Sequence, residues 1–364
     1  MIKKNILIAT GGTGGHIFPA YSLANYFINK NYNVRLTTDK RGLRFLKETD
    51  NVNIIIISSS PLSKNNIFKL LFSIIKIFYA TIKSFLFLIL NRPNLIFGMG
   101  GYSSFPVCIA AFFLKIKFVT YENNLVIGKA NKFLLPFVKK IFVSHQDVEG
   151  ISEKYKKKVI VIGNIIRKEI IEKKTSLNEN NIFSNLKILV LGGSQAAKIF
   201  AEELPVIFEK LKNSNLSIKI YQQCQKNQIF QLTEFYKKAK IDHEIFHFSN
   251  NIIDYYLKTN LVITRSGASV LGELINVKIP FISIPLPSSA DNHQYKNAEF
   301  HFKKGYGYLL EEKDIKDKLF DLIRSIFKDK SSIKNIISKQ RQHSDKDVFI
   351  NLNNQIEKII DEKN

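Results

Sequence analysis

Two stretches of this chain share one pattern: an apolar run, a glycine turn, then a segment of helical length. They read ILIATGGTGGHIFPA from Ile6 and ILVLGGSQAAKIF from Ile188. A buried strand that ends in glycines can turn tightly into a helix, and the helix start then offers N–H groups to an anion. Around both stretches, short Ile/Val/Phe runs alternate with helical lengths, the pattern of a parallel sheet covered by helices. The first series predicts strands at 5–10, 33–38, 52–57, 94–97, 117–121, 140–144 and 159–162. A polar stretch, TSLNENNIFSN, precedes the second, at 187–192, 218–223, 244–248, 261–264 and 280–284. The expected architecture is α/β: two Rossmann-like domains whose parallel sheets face a central cleft. The boundary is expected near Gly163, giving 1–163 and 164–344. The polar tail with spaced Ile and Leu reads as a last helix, about 345–364, counted with the first domain.

Composition narrows the setting. The 364 residues include two cysteines, Cys108 and Cys224, in different halves. Neither a disulfide framework nor a four-cysteine zinc site can be built from them, which fits a reducing compartment. The start, MIKKNILIATGG, carries the lysines of a signal peptide, but its apolar run stops at glycines and reads as a first strand. The net charge of +23 would attract phosphates, anionic lipid or nucleic acid. Heavy use of Ile, Lys and Asn throughout would also produce it without any partner.

Residues 67–90 are the most apolar stretch, long enough to be taken for a membrane span. Lys69, Lys76 and Lys83 recur every seven residues and, on a helix, gather with Ser73 into one stripe, while residues such as Phe72 fill the remainder. One reading is an interfacial helix that lies on a bilayer through these residues. The other is a helix packed on the sheet with its lysines in water.

Three glycine clusters follow apolar runs: GGTGGH at Gly11–His16, GMGGYSS at Gly98–Ser104 and GGSQ at Gly192–Gln195. At strand ends such turns let backbone approach a phosphate or sugar. The first lacks GxGxxG spacing, and only Asp39 offers an acid after the second strand, which argues against a dinucleotide fingerprint. In TRSGASVLGELI, Arg265 at a strand end is suited to clamping phosphate. Glu273 in the following helix is suited to accepting from ribose hydroxyls, or is a solvated helix residue. Downstream, Asp291, Asn292, His293 and Gln294 form a polar run of the kind that recognises sugars.

In order, GGTGGH, GMGGY, YENN, GNxxR at Gly163–Arg167, GGSQ, RSGAS…E and DNHQ…NA resemble the MurG family of peptidoglycan glycosyltransferases across nearly the whole chain. The resemblance implies a GT-B fold and inverting transfer of N-acetylglucosamine from UDP-N-acetylglucosamine (UDP-GlcNAc) to lipid I, undecaprenyl-pyrophosphoryl-N-acetylmuramoyl-pentapeptide, giving lipid II. It implies a donor site of Thr13, Gly14, Gly15, Asn124, Arg167, Ser194, Ser249, Arg265, Ala268, Glu273 and Gln294. Gly100, Gly101 and Tyr102 would form an acceptor diphosphate loop, with Lys69, Phe72, Lys76 and Lys83 at the membrane. A peripheral place on the cytoplasmic face of the inner membrane, an anionic surface as partner, and a cell-wall synthesis complex go with it; nucleic acid and cofactors do not. The sequence departs from the family pattern at Ala196 and Phe105, each in place of a glycine, at Val270 in place of a threonine, and at His293 in place of a glutamine.

Inversion needs a base for the acceptor hydroxyl and support for the departing charge. His16 is the first candidate base and Glu122 the second; alternatively, His16 only caps its loop or binds acceptor pyrophosphate. No metal is implied, since the one DxD spacing, Asp345 and Asp347, is expected in the tail, far from strand ends. His243, Glu244 and His247 spell HExxH, but they fall in a strand slot, where Glu244 would face away from the histidines. A UDP-sugar epimerase of the same fold is the enzymatic alternative, and a basic binding module the non-enzymatic one.

Overall fold

The computed structural model describes residues 3–46, 52–61, 66–172, 185–193, 196–249 and 251–362. The chain divides into two compact units, Met1–Arg167 with Asp345–Asn364, and Lys168–Ser344.

In the first unit the apolar runs become seven parallel strands: β1 (Asn5–Ala9), β2 (Asn33–Thr38), β3 (Asn53–Ile56), β4 (Leu95–Gly98), β5 (Phe118–Glu122), β6 (Ile141–Val143) and β7 (Val159–Val161). Their order is β3-β2-β1-β4-β5-β6-β7. Ala9, at the end of β1, is level with Thr37 on one side and Gly98 on the other. The strand order therefore reverses between β1 and β4, where both glycine turns emerge, the position at which open α/β sheets bind ligands.

The second unit has six parallel strands: β8 (Leu186–Leu191), β9 (Ile218–Gln223), β10 (Asp242–Phe246), β11 (Leu261–Thr264), β12 (Phe281–Ser283) and β13 (Tyr308–Leu309). Their order is β10-β9-β8-β11-β12-β13, with the reversal between β8 and β11. The sequence pattern missed β13, whose two residues are too few to show alternation. It set β10 two residues late, because Asp242 and His243 are polar and open a strand in which no residue is fully buried. The core of this unit is aliphatic, with Ile188, Val190, Leu261 and Ile263 under Phe200, Leu204 and Phe208.

The chain's end returns to the first unit. In the helix Val348–Asp361, Phe349 stacks on Tyr26 at 5.1 Å, and Glu357 accepts from the Tyr32 hydroxyl at 3.1 Å. Burial and that carboxylate push the Tyr32 phenol up to about 12. The DxD expectation fails here: Asp345 is buried and accepts from the Asn164 backbone N–H (2.9 Å) and side-chain amide (3.1 Å), just past β7. In sequence it stands far from any strand end because its partner, Asn164, lies 181 residues away.

The helix Ile67–Leu90 is inverted relative to an ordinary surface helix. Its inward face is small, with Ser73, Ala80 and Ser84 buried along with Leu88. The two serine hydroxyls donate back to the carbonyls of Lys69 (2.8 Å) and Ala80 (2.7 Å). Ala80 and Leu88 join Val107, Cys108 and Ala111 of the helix Gly101–Phe113 in one cluster. Ser73 is thus not part of an exposed lysine stripe. Lys69, Lys76 and Lys83 are exposed beside this seam. Large apolar groups point outward, including Phe68 (77% exposed), Phe72 (59%), Phe78 (66%) and Leu90 (82%). Lys76 lies over the Phe72 ring at 4.3 Å, and Lys83 donates to the Ile56 carbonyl at 3.0 Å. Phe112, Phe113 and Phe133 are also exposed, with Phe133 edge-on to Phe105 at 5.3 Å. Phe105, a departure from the family glycine, therefore supports this aromatic surface.

Candidate active site

At the β1/β4 reversal the two glycine turns press together. A Cβ on Gly11 would stand 2.5 Å from Cβ of Ser103, so only glycine permits that approach. Thr13 is the N-cap of the helix Gly14–Asn29, and its exposed side chain makes no cap bond; Gly14 and Gly15 form the first turn that follows. The His16 imidazole, half-buried, lies against the second turn: a Cβ on Gly101 would be 3.5 Å from its Nε2. Gly100 and Gly101 both have positive φ, and the Ser104 hydroxyl donates to the Gly100 carbonyl at 2.9 Å. His16 and Gly100–Tyr102 are thus neighbours, as the motif reading expects of one site.

Beneath them lies Asp39, 3% exposed, which the sequence offered only as a ribose candidate. Its carboxylate accepts from the N–H groups of Gly42 (2.8 Å) and Gly12 (3.1 Å), from the Ser103 hydroxyl (3.0 Å) and from Arg41 (3.3 Å). Burial alone would raise its pKa. The hydrogen bonds from Gly42, Gly12 and Ser103, with the Arg41 charge, outweigh burial and hold the carboxyl below its ordinary range. Asp39 thereby ties the first glycine turn to the second.

Glu122, at the end of β5, is 4% exposed. One oxygen accepts from the Asn124 backbone and side-chain N–H groups (3.1 and 2.9 Å), the other from Gly128 N–H (2.8 Å) and the Asn131 amide (3.0 Å). Four donors occupy both carboxylate oxygens and shape the loop that carries Asn124. Arg167 lies with its guanidinium over the Phe18 ring at 4.3 Å.

The remaining predicted residues are set by the second sheet. Ser194 lies outside the described residues. Gly192 follows β8, and a Cβ there would stand 2.0 Å from the Ala197 nitrogen. Ala196 has φ 47°, so the departure from glycine leaves an alanine in the left-handed region. Ala268 opens the helix Ala268–Val277, in which Glu273 is 4% exposed and accepts from the Tyr256 hydroxyl at 2.9 Å. The solvated reading of Glu273 is thereby overturned: Tyr256, brought in by the preceding helix, orients a buried carboxylate. Gln294 accepts from Leu286 N–H at 3.0 Å, and the Ser249 hydroxyl accepts from Asn251 N–H at 3.2 Å. Val270, half-buried, offers only methyl groups to the Gly267 turn.

Arg265 departs from its expected role. Its backbone N–H donates to the Leu191 carbonyl at 3.2 Å, which locks β8 to the turn. Its guanidinium is buried, stacked over Phe200 at 4.7 Å, paired with Glu312 and donating to the carbonyls of Ile284 and Pro285 at 3.3 Å. An arginine held this way braces the loop and is a poor clamp for phosphate. Sequence reasoning missed Glu312 because it follows β13, the strand that was not seen.

The HExxH residues form no helix. His243 in β10 faces Tyr236 (ring centroids 5.5 Å apart), Glu244 accepts from Tyr255 at 2.7 Å, and His247 Nδ1 meets the Cys224 carbonyl at 3.0 Å. Among the described residues no cluster of three or more metal-ligating side chains occurs.

Comparison with known proteins places this geometry. Residues 6–143 match the glycosyltransferase family 28 N-terminal domain and residues 187–352 its C-terminal domain. A relative from Pelagibacter ubique is 38% identical over 318 residues, 87% of each chain, and one from Rickettsia felis is 35% identical over 356 residues, 93% of this chain and 96% of the relative. Both are named UDP-N-acetylglucosamine–N-acetylmuramyl-(pentapeptide) pyrophosphoryl-undecaprenol N-acetylglucosamine transferase. Among solved structures, MurG of Acinetobacter baumannii superposes with a TM-score of 0.78 at 24% identity, covering 98% of this chain and all of that one. A UDP-N-acetylglucosamine 2-epimerase gives 0.66 at 11%, over 98% of this chain and 96% of that one. At these identities the structural likenesses carry the fold alone, and that fold is GT-B. The relatives' identity over nearly the full length, on two parallel sheets with their glycine turns at the reversals, leads to one assignment: the chain belongs to the MurG family within glycosyltransferase family 28.

Proposed function

We propose that this chain transfers N-acetylglucosamine from UDP-GlcNAc to lipid I, forming lipid II with inversion. The observation that carries the reading is the 33–38% identity with curated transferases of that name across 87–93% of this chain. The first unit, with His16 and the Gly100–Tyr102 turn, is the acceptor side. The second, with Ser249, Ala268, Glu273 and Gln294, holds the donor.

In the reaction the acceptor hydroxyl attacks the anomeric carbon. A new C–O bond forms as the bond to the UDP phosphate breaks, and the hydroxyl proton passes to a base. His16 fits that role: an imidazole titrates near neutrality, whereas Glu122 is engaged by four N–H donors. Developing charge on the departing diphosphate is supported by helix N-termini and loop amides. Glu273, oriented by Tyr256, accepts from the ribose hydroxyls; Arg265 keeps its loop in place.

The lipid acceptor puts the reaction at a bilayer, and the outward phenylalanines and flanking lysines of Ile67–Leu90 suit a peripheral contact with anionic lipid on the cytoplasmic face of the inner membrane. The deciding experiment incubates the protein with UDP-GlcNAc, with and without a lipid I analogue, and follows UDP release. Acceptor-dependent release with a disaccharide product is expected. Epimerised sugar nucleotide formed without acceptor would sink the transferase reading.

A further inference from the structure

Arg41, beside the β1/β4 reversal, is held in place with part of its guanidinium facing outward. Its guanidinium lies over the Tyr102 ring, 5.0 Å from the centroid, and meets Asp39 through Nε and one terminal nitrogen at 3.3 Å. Those contacts fix the plane of the fork and leave its other N–H donors open, with the side chain 48% exposed. It stands beside the first glycine turn: a Cβ on Gly12 would be 3.4 Å from its terminal nitrogen and 3.8 Å from the Tyr102 hydroxyl. That hydroxyl is buried and has no hydrogen-bond partner. A buried hydroxyl without a partner and a half-exposed guanidinium therefore meet at one place. Both are donors, and an anion satisfies both. The ion pair with Asp39 engages Nε and one terminal nitrogen, and the remaining N–H groups of the guanidinium lie outside it.

We propose that Arg41, held over Tyr102 by Asp39, binds a phosphate oxygen of the acceptor's diphosphate, and with the Tyr102 hydroxyl makes this unit select a diphosphate-linked acceptor over an uncharged one. The inference rests on the acceptor reading above and adds to it a residue outside the family motifs. Arg41 is a specificity residue; it takes no part in moving the proton.

The test has two arms in the full chain. In the first, binding of a short-chain prenyl diphosphate is measured without donor. Arg41→Gln is expected to raise its Kd about tenfold or more, the loss of a charge-assisted contact. Arg41→Lys, which keeps the charge but loses the planar fork held over Tyr102, should fall between Arg41→Gln and wild type and so separates lost charge from lost folding. In the second, KM is compared for a diphosphate-linked acceptor and for one with an uncharged linker. Arg41→Gln should raise the first about tenfold and leave the second, and the KM for UDP-GlcNAc, within about twofold. An unchanged Kd, or equal losses on both acceptors, overturns the role of Arg41. If the wild type transfers sugar to neither acceptor yet the Kd still depends on Arg41, the transferase reading fails while the diphosphate site stands.

Discussion

The two sheet reversals carry one arginine each, and the pair shows how the same ingredients give opposite results. Arg41 lies over Tyr102 and meets Asp39; Arg265 lies over Phe200 and meets Glu312. In the first unit the guanidinium is 48% exposed and keeps N–H groups outside the ion pair, so part of it faces outward. In the second, the side chain is 9% exposed and two carbonyls take further N–H groups, so the cation is consumed by the fold. The same kind of ion pair thus leaves an arginine half exposed or buries it as a brace according to what the rest of the sheet brings beside it.

The largest effect that sharpens this contrast is on catalysis at the first reversal. His16→Ala is expected to lower kcat by about 10²–10⁴, with donor KM within about threefold. Turnover within threefold of wild type would remove His16 as the base and leave the first reversal with binding alone. Next comes stability. Glu312→Ala strands a buried guanidinium and should destabilise the second unit by about 3 kcal/mol, whereas Arg41→Ala should change stability by less than about 0.5 kcal/mol. Chemical denaturation of both variants breaks the comparison if the two losses are equal.

A third test asks which second-unit group meets the ligand if Arg265 does not. Glu273→Ala is expected to raise the KM for UDP-GlcNAc by roughly tenfold or more, since ribose hydroxyls lose a buried acceptor. A wild-type KM would remove Glu273 from the donor site. At the membrane, Lys69, Lys76 and Lys83 changed together to Gln should weaken binding to anionic vesicles about thirtyfold at low salt, at roughly 1 kcal/mol for each of the two lysines free to reach the headgroups. Lys83 already caps a carbonyl and should contribute least. Co-sedimentation equal to wild type at low and high salt would leave docking to the aromatic surface alone. The smallest effect is local: Ala196→Gly removes an alanine from the left-handed region and should stabilise the second unit by about 0.5–1 kcal/mol. A lower thermal midpoint would mean that Ala196 packing, at 1% exposure, outweighs the strain.

The sequence by itself determined the parallel sheets and their glycine turns, because apolar runs and glycine positions are local signals that burial and backbone sterics make unambiguous. Those turns already singled out His16 and Gly100–Tyr102. Tertiary structure decided which charged groups remain open. Asp39 reads as a ribose acid until Ser103, 64 residues on, is seen beside it. Glu273 reads as solvated until Tyr256 covers it, and Arg265 as a phosphate clamp until Glu312 arrives from beyond a two-residue strand. The helix Ile67–Leu90 shows the same limit. Its seven-residue spacing of lysines is visible in the sequence, but only packing shows that serine and alanine make the inner face and that the phenylalanines point outward. A side chain's chemistry is fixed by its type, whereas its availability depends on partners that the fold brings from far along the chain.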